Sequence, residues 1–416
     1  MKLAVVQVGV AAIIVAIAGY VAQFLGARIL GPVHYTTFAV FWAVLFIVVG
    51  TLSGVAQEVI RVSRTTKIQL DAQHPPDQDP SHPRIGVVAV TIGAGTSVLV
   101  FLTGLIWGPL AFGGDWLPRL VLLSLAGLFV SGTFTLVSIF AGLARWRIYS
   151  LLVALEGIAR ILLFALAAIF QPTVLGFSIA AVLAFAPGVL VGLLSGPLRR
   201  ETIVMRSDAP VGLSTTRILR SMAASGLSSV LLVGWPALLF AAAGANPRGA
   251  TPVSIGILIL LVTLTRAPLM VPITSFQNVL VARFTGFSLV ERRRWVAVGV
   301  GIVAIASVAL AALAALLGPP LLPLVFGHSY HAEPGIIAAL TGAAAGLGII
   351  TLTGVAAITS GGHSRYLLGW LVAIGVALLV VFLAPLPFEW ATVLALVAGP
   401  LVGAAVQLGA LRHAPV

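Results

Sequence analysis

Cysteine does not occur anywhere in the 416 residues. Its absence excludes a disulfide framework, a thiol nucleophile and a thiolate metal site. Charge is scarce too: 8% of residues are charged and only 11 are acidic, whereas a soluble domain carries about a quarter charged residues. A sizeable soluble domain is therefore not expected. Also missing are a phosphate-binding loop, a Gly-rich nucleotide fingerprint and a zinc-protease helix motif. ATP hydrolysis, enzyme chemistry and a bound cofactor are accordingly not expected of this chain.

What remains is apolar. Hydrophobic residues make up 60% of the chain, and apolar runs of about 20 residues, the length that crosses a ~30 Å hydrocarbon layer, recur from end to end. We read about twelve such spans, which predicts an all-α polytopic membrane protein. The first six are Ala4 to Phe24, Thr36 to Ala56, Ile85 to Leu110, Leu120 to Leu143, Tyr149 to Ile169 and Val174 to Leu194. The rest are Met222 to Ala243, Val253 to Ile273, Trp295 to Leu317, Gly335 to Ile358, Leu367 to Ala384 and Ala391 to Ala410.

Orientation follows from Lys and Arg. With both termini cytoplasmic, the inner side collects Lys2, Arg61, Arg64, Lys67, Arg84, Arg145, Arg147, Arg199, Arg200, Arg206, Arg217 and Arg220. It also collects Arg283, Arg292, Arg293, Arg294, Arg365 and Arg412, 18 of the 23 basic residues in all. The outer side holds Arg28, Arg119 and Arg248. The net charge of +12 is thus a positive-inside signal with attraction to anionic membrane lipids, and calls for no nucleic-acid partner. The first apolar run lacks a small-residue cleavage site and reads as a retained helix.

The two halves resemble each other. Gly31-Pro32-Val33 is matched 220 residues later by Thr251-Pro252-Val253, and Gln57-Glu58-Val59-Ile60 at the same offset by Gln277-Asn278-Val279-Leu280. Both copies run outside to inside, so we expect two lobes of about six helices, residues 1–198 and 221–416, related by a parallel repeat. A basic cytoplasmic linker, 199–220, joins them. The loop from Gln69 to Arg84 carries Pro75, Pro76, Pro80 and Pro83 and is expected to be irregular. From Ser275 to Trp295 an amphipathic stretch reads either as a helix extension on the inner leaflet or as a solvated basic loop. Prolines fall inside several spans: Pro187, Pro236, Pro268, Pro272 and Pro400. Each removes an amide donor and frees a carbonyl four residues back. We read Pro236, Pro268 and Pro272 as hinge candidates, with plain kinking the alternative. Gly342 and Gly346 form a small-residue face suited to close packing.

Charges inside spans are the most informative residues, because hydrocarbon tolerates them only opposite a partner or water. Arg266 lies near the middle of the eighth span, with no acid one turn before it, so its partner is a residue on another helix or an anionic substrate. Glu156 and Arg160 sit four apart on the fifth span and can pair. Two readings stay open: a self-neutralising pair, or Arg160 joining Arg266 on a phosphate while Glu156 serves as its tether or as a proton site. Gln57, Glu58 and Arg61 end the second span as a polar terminus or a cytoplasmic gate. His328, His331 and Glu333 share an outer loop and match no metal spacing, so no metal site is expected.

The run Leu25-Gly26-Ala27-Arg28-Ile29-Leu30-Gly31-Pro32-Val33-His34-Tyr35, followed by an aromatic second span, resembles the opening of bacterial polysaccharide-biosynthesis flippases of the O-antigen type. These belong to the multidrug/oligosaccharidyl-lipid/polysaccharide exporter superfamily. Gly54-Val55-Ala56-Gln57-Glu58-Val59-Ile60-Arg61 and Thr265-Arg266-Ala267-Pro268 with Gln277 look like the same family. Thr36 stands where members often have Gly, and the cavity arginines that related peptidoglycan-precursor flippases carry in their first two spans have no counterpart here. The resemblance implies alternating access in the bacterial cytoplasmic membrane. The cargo would be a polyprenyl-pyrophosphate-linked glycan moving to the outer leaflet for envelope polysaccharide assembly, with envelope glycosyltransferases as partners. Arg266 and Arg160 would then bind pyrophosphate. A cation-coupled drug exporter of the same superfamily is one alternative; a membrane-embedded glycosyltransferase or polymerase is another.

Overall fold

The computed structural model describes residues 2–72, 81–198, 200, 205–246 and 248–411, without the side chains of 2–5, 70, 274–279, 281, 282, 285 and 411. Most of the proline-rich loop, Arg199, Arg412 and the side chain of Gln277 lie outside the described residues. Described secondary structure is helical. It comprises α1 (Lys2–Asp71), α2 (Ile85–Phe112), α3 (Trp116–Gly142), α4 (Trp146–Phe170), α5 (Val174–Leu183), α6 (Ala186–Leu194) and α7 (Val211–Leu232). These are followed by α8 (Trp235–Ala245), α9 (Pro252–Thr285), α10 (Leu289–Phe326), α11 (Pro334–Thr359), α12 (His363–Leu383) and α13 (Phe388–Leu408). Nine segments among the described residues are long and apolar enough to cross a membrane, or ten when α7 and α8 are taken as one bent span. The chain is an all-α, multi-pass membrane protein.

Local chemistry explains where these helices break and where they continue. α1 runs for 70 residues and is interrupted only at Gly31 (φ 68°, ψ 170°), a left-handed conformation that glycine accepts without a Cβ clash. Pro32 follows it, and the Thr36 hydroxyl donates to the Pro32 carbonyl at 3.0 Å. The matching point 220 residues later is built differently. There Thr251 caps α9, its hydroxyl accepting from the Ser254 amide at 3.1 Å while Ser254 Oγ accepts from the Thr251 amide at 2.9 Å.

Beyond Ala56, where we expected the second span to end, α1 continues to Asp71. Ion pairs at helical spacing, Glu58 with Arg61 at 2.7 Å and Lys67 with Asp71 at 2.8 Å, support that extension. The sixth apolar run is broken into α5 and α6, with Pro187 in the first turn of α6. The Thr133 hydroxyl donates to the buried Phe185 carbonyl at this break at 2.8 Å. Pro268 and Pro272, by contrast, lie within a helix that continues through both.

The described chain divides into two compact units: Met1–Leu30 with Thr37–Ser229, and Gly31–Thr36 with Val230–Val416. The division passes through α7. In the first unit α2 and α3 approach closely because small residues interlock: a Cβ on Gly93 would collide with Ser131, and one on Gly127 with Ser97. Ser131 donates to the Ala89 carbonyl at 2.9 Å. Phe38, Phe164 and Phe177, all fully buried, meet edge to face with centroids 5.5 to 6.0 Å apart.

In the second unit α11 packs against α9, α10 and α13, and its middle is buried from Gly346 to Ala357 except at Ile349. Gly346 abuts the Leu396 carbonyl of α13, whereas Gly342, expected to share that face, meets nothing within 4 Å. The stretch after Ser275 is helical to Thr285, and Ser288 caps α10. Arg292 then turns inward, donating to the Phe284 carbonyl at 2.8 Å and to Ser360 Oγ at 2.6 Å.

Candidate functional site

Three polar constellations contain the residues singled out above. The first lies in the second unit, at the break between α7 and α8. α7 ends at Leu232, α8 begins at Trp235, and the two axes differ by 62°. Pro236 has no amide hydrogen, so Leu232 loses the donor that a continuing helix would supply. Arg266 of α9 fills the gap, its Nη1 donating to the carbonyls of Leu231 and Leu232 at 3.3 Å each. A guanidinium at a helix C-terminus also meets the negative end of the helix dipole. Arg266 is 8% exposed, and its Nη2 has no hydrogen-bond partner. It forms no ion pair among the described residues. A buried donor left unmatched costs about 1–3 kcal/mol.

The indole Nε1 of Trp235, on the same break, is likewise buried without a partner. Leu264, Thr265 and Pro268, which flank Arg266 in sequence, line a cavity of about 370 Å³ against α10 and α11. Its walls are apolar apart from Thr265 and Thr341.

The second constellation lies in the first unit. Arg160 and Glu156, one turn apart on α4, are hydrogen-bonded. The Arg160 side chain is 3% exposed and that of Glu156 13%. Around the guanidinium stand the rings of Phe185, Phe46 and Trp42, with centroids 5.3, 5.6 and 5.9 Å away. Trp42 and Phe46 stack on each other at 4.6 Å. Aromatic faces attract the cation, so this arginine has an acid and three rings as company where Arg266 has only carbonyls. Arg160 belongs to the first unit and Arg266 to the second.

The third constellation is built around Arg61. Its Nε and Nη2 donate to Glu58 at 2.8 and 2.7 Å, and Nη1 and Nη2 donate to Asp208 at 2.7 Å each. Arg217 reaches Asp208 at 3.5 Å. Gln57 donates to Ser225 Oγ at 3.1 Å. Asp208 belongs to a segment tied to the start of α2: the Ile85 amide donates to the Met205 carbonyl at 3.0 Å and the Ser207 amide to the Pro83 carbonyl at 2.9 Å. The Arg61 guanidinium holds the Asp208 carboxyl below its ordinary range.

His331 and Glu333 line a separate cavity of about 640 Å³ together with Glu389 and Trp390. Among the described residues, no three of His, Asp and Glu are placed to hold a metal ion.

Sequence reasoning located Arg266, Arg160, Glu156, Glu58 and Arg61 but missed several partners: Asp208, the ring cage, and the donor of Trp235. The freed Leu232 carbonyl was recoverable, since it lies four residues before Pro236.

No family model matches the chain. It is 34% identical over 416 residues to the uncharacterized protein Rv3630 of Mycobacterium tuberculosis, covering 98% of this chain and 92% of that one. It is also 34% identical to Rv1510 of the same species over 419 residues, 99% of this chain and 92% of that one. Among solved structures it matches an inward-facing MATE family multidrug resistance transporter of the MOP superfamily with TM-score 0.71 and 16% identity, over 99% of this chain and all of that one. The outward-facing MATE form matches with TM-score 0.64 and 16% identity, over 98% and 94%. A MOP superfamily transporter from Pyrococcus furiosus, for which a reversed polarity of the binding pocket suggests a different function, matches with TM-score 0.64 and 16% identity over 99% and 96%. The chain therefore belongs to one family with these mycobacterial proteins and carries the fold of the MOP superfamily of transporters.

Proposed function

We propose that this protein is an alternating-access flippase that moves a polyprenyl-pyrophosphate-linked glycan from the cytoplasmic to the outer leaflet of a bacterial cytoplasmic membrane. The observation that carries the reading is Arg266, buried in the second unit with one guanidinium nitrogen unmatched and no acid beside it. A pyrophosphate is its natural complement, because Arg presents a planar fork of donors to phosphate oxygens. The apolar cavity beside Thr265 and Pro268 suits the lipid part of such a cargo. Two of the candidate spans are 64 and 58 residues long, enough for two crossings each, which together with the bent pair taken as one span supports about twelve crossings and hence both termini on one side. The positive-inside distribution favours the cytoplasm for that side.

Glu156 is the one acid within the apolar part of a span, and Arg160 holds it. Proton uptake by Glu156 would release Arg160 toward the cargo, giving the transport step its coupling. Gln57, Glu58 and Arg61 act as the cytoplasmic gate, with Pro236 as the principal hinge. Envelope glycosyltransferases would supply or receive the glycan.

The MATE relatives make a cation-coupled drug exporter the second reading. A binding site for cations favours acids over arginines, and the buried balance here is the reverse. Mass spectrometry of lipids that co-purify with the protein separates the two. An intact polyprenyl-linked sugar, enriched over membrane of the same host lacking the protein, is expected; its absence beside a retained cationic compound would defeat the flippase reading.

A further inference from the structure

At the break between α7 and α8, two buried side chains each carry a hydrogen-bond donor with no acceptor: Arg266, 8% exposed, through Nη2, and Trp235, 1% exposed, through Nε1. Both groups are donors only; neither can accept a proton from the other. What satisfies them must bring acceptors. Arg266 Nη1 is already committed to the carbonyls freed at the break, so the guanidinium belongs at once to the hinge and to whatever occupies the unmatched side.

We propose that the α7/α8 break is an oxyanion site in which Trp235 is a second donor to the phosphate of the cargo. In this site the anion competes with Leu231 and Leu232 for Arg266. The proposal rests on the flippase reading and deepens it: it adds a binding residue and a link between loading and bending. With the site empty, Arg266 caps α7 and holds the 62° bend. A phosphate oxygen is a stronger acceptor for guanidinium than a neutral carbonyl. Loading therefore draws Arg266 off α7 and leaves the Leu231 and Leu232 carbonyls to be satisfied by a change in the break itself. Because the two units divide at Ser229/Val230 within α7, the break is a few residues from the point where the chain passes from one unit to the other.

The test uses the full protein in detergent micelles with inorganic pyrophosphate as the probe, read by tryptophan emission and by the shift in melting temperature. Wild type is expected to show a saturable emission change. Trp235→Phe keeps an aromatic side chain, though a smaller one, and deletes the donor. Read by melting temperature, because the substitution also removes a fluorophore, it should weaken binding by about tenfold, the equivalent of one charge-assisted hydrogen bond. Read by melting temperature, Arg266→Lys should also bind more weakly. Pro236→Ala restores an amide donor to the Leu232 carbonyl, removes the competition, and should bind pyrophosphate more tightly than wild type.

Unchanged affinity in Trp235→Phe would overturn the second-donor assignment, and unchanged or weaker affinity in Pro236→Ala the competition. No saturable response in wild type would overturn the site as a whole. These outcomes are separate from the flippase reading. Pyrophosphate binding with the expected variant pattern, but without movement of a lipid-linked glycan in vesicles, would sustain the site and remove the cargo; the converse would remove the site and keep the cargo.

Discussion

Arg61 grips Asp208 with both terminal guanidinium nitrogens at 2.7 Å while its Nε and Nη2 hold Glu58, so that one cation on α1 serves two carboxylates. The two acids differ in burial: Glu58 is 6% exposed at its side chain and Asp208 33%. Asp208→Asn should therefore cost little, about 1 kcal/mol or less for a solvent-screened pair. Arg61→Ala should cost more, about 3 kcal/mol, because it strands a buried carboxylate. The pH dependence follows from the direction of the Asp208 shift. Its folded value lies below the ordinary 3.8, so its contribution is complete above that value and is lost as pH falls through the folded one. Melting temperature measured from neutral pH down to about pH 3 should fall less steeply in Asp208→Asn than in wild type.

The orientation can be checked directly because the chain has no cysteine to remove. A thiol reagent that cannot cross membranes should label Gly113→Cys and Ser329→Cys from outside intact cells, and should reach Ser81→Cys and Gly212→Cys only after permeabilisation. All four positions are exposed, so burial does not confound the result. Complete inversion would reverse the assigned sides; a mixture within either pair would break the assignment of about twelve crossings.

Glu156 and Arg160 pair at a spacing visible in the primary structure, and here the local rule was sufficient: residues four apart on a helix share a face. Arg266 stood out for the same reason, as a charge inside an apolar run. Its partners did not, because they are backbone carbonyls 34 and 35 residues away, and no side-chain pattern marks an acceptor that every residue possesses. Asp208 lies 147 residues from Arg61, a pairing made by the fold of the segment before α7. The continuation of the helix past Ala56 to Asp71 was not legible, because Gln57, Glu58 and Arg61 read as a terminus, whereas the ion pair of Glu58 with Arg61 lies within the helix. Pro268 and Pro272 read as interruptions, yet α9 passes through both; of the three hinge candidates, Pro236, two residues after Gly234, sits where the helix gives way.

The pair on α4 separates structural from functional charge. Glu156→Leu alone leaves Arg160 buried among rings without its acid and should cost about 3–5 kcal/mol. Glu156→Leu with Arg160→Met removes both charges at similar volume and should recover that loss. If Glu156 couples transport to protons, the stable double variant should be inactive, and wild-type transport in vesicles should vary with the imposed pH gradient. A double variant that transports at the wild-type rate would reduce the pair to a stabilising contact.

Arg266→Ala is expected to abolish movement of the lipid-linked glycan, and its effect on folding can be told apart from its effect on cargo. Removing the side chain withdraws the donors that Leu231 and Leu232 share, and orphaned buried acceptors cost about 1–3 kcal/mol. The variant should therefore melt at a lower temperature. Pro236→Ala supplies an amide to Leu232 by ordinary helix geometry, so Arg266→Ala with Pro236→Ala should regain much of that stability. Transport should not return with it, since an amide inside a helix offers nothing to a pyrophosphate. Arg266→Lys should keep a charge but not the planar fork, and so retain only part of the activity. The measurements are melting temperature of each purified variant and glycan-lipid transport in vesicles. If the double variant regains both together, Arg266 is a helix cap alone; if stability returns while transport stays absent, the guanidinium is needed for the cargo.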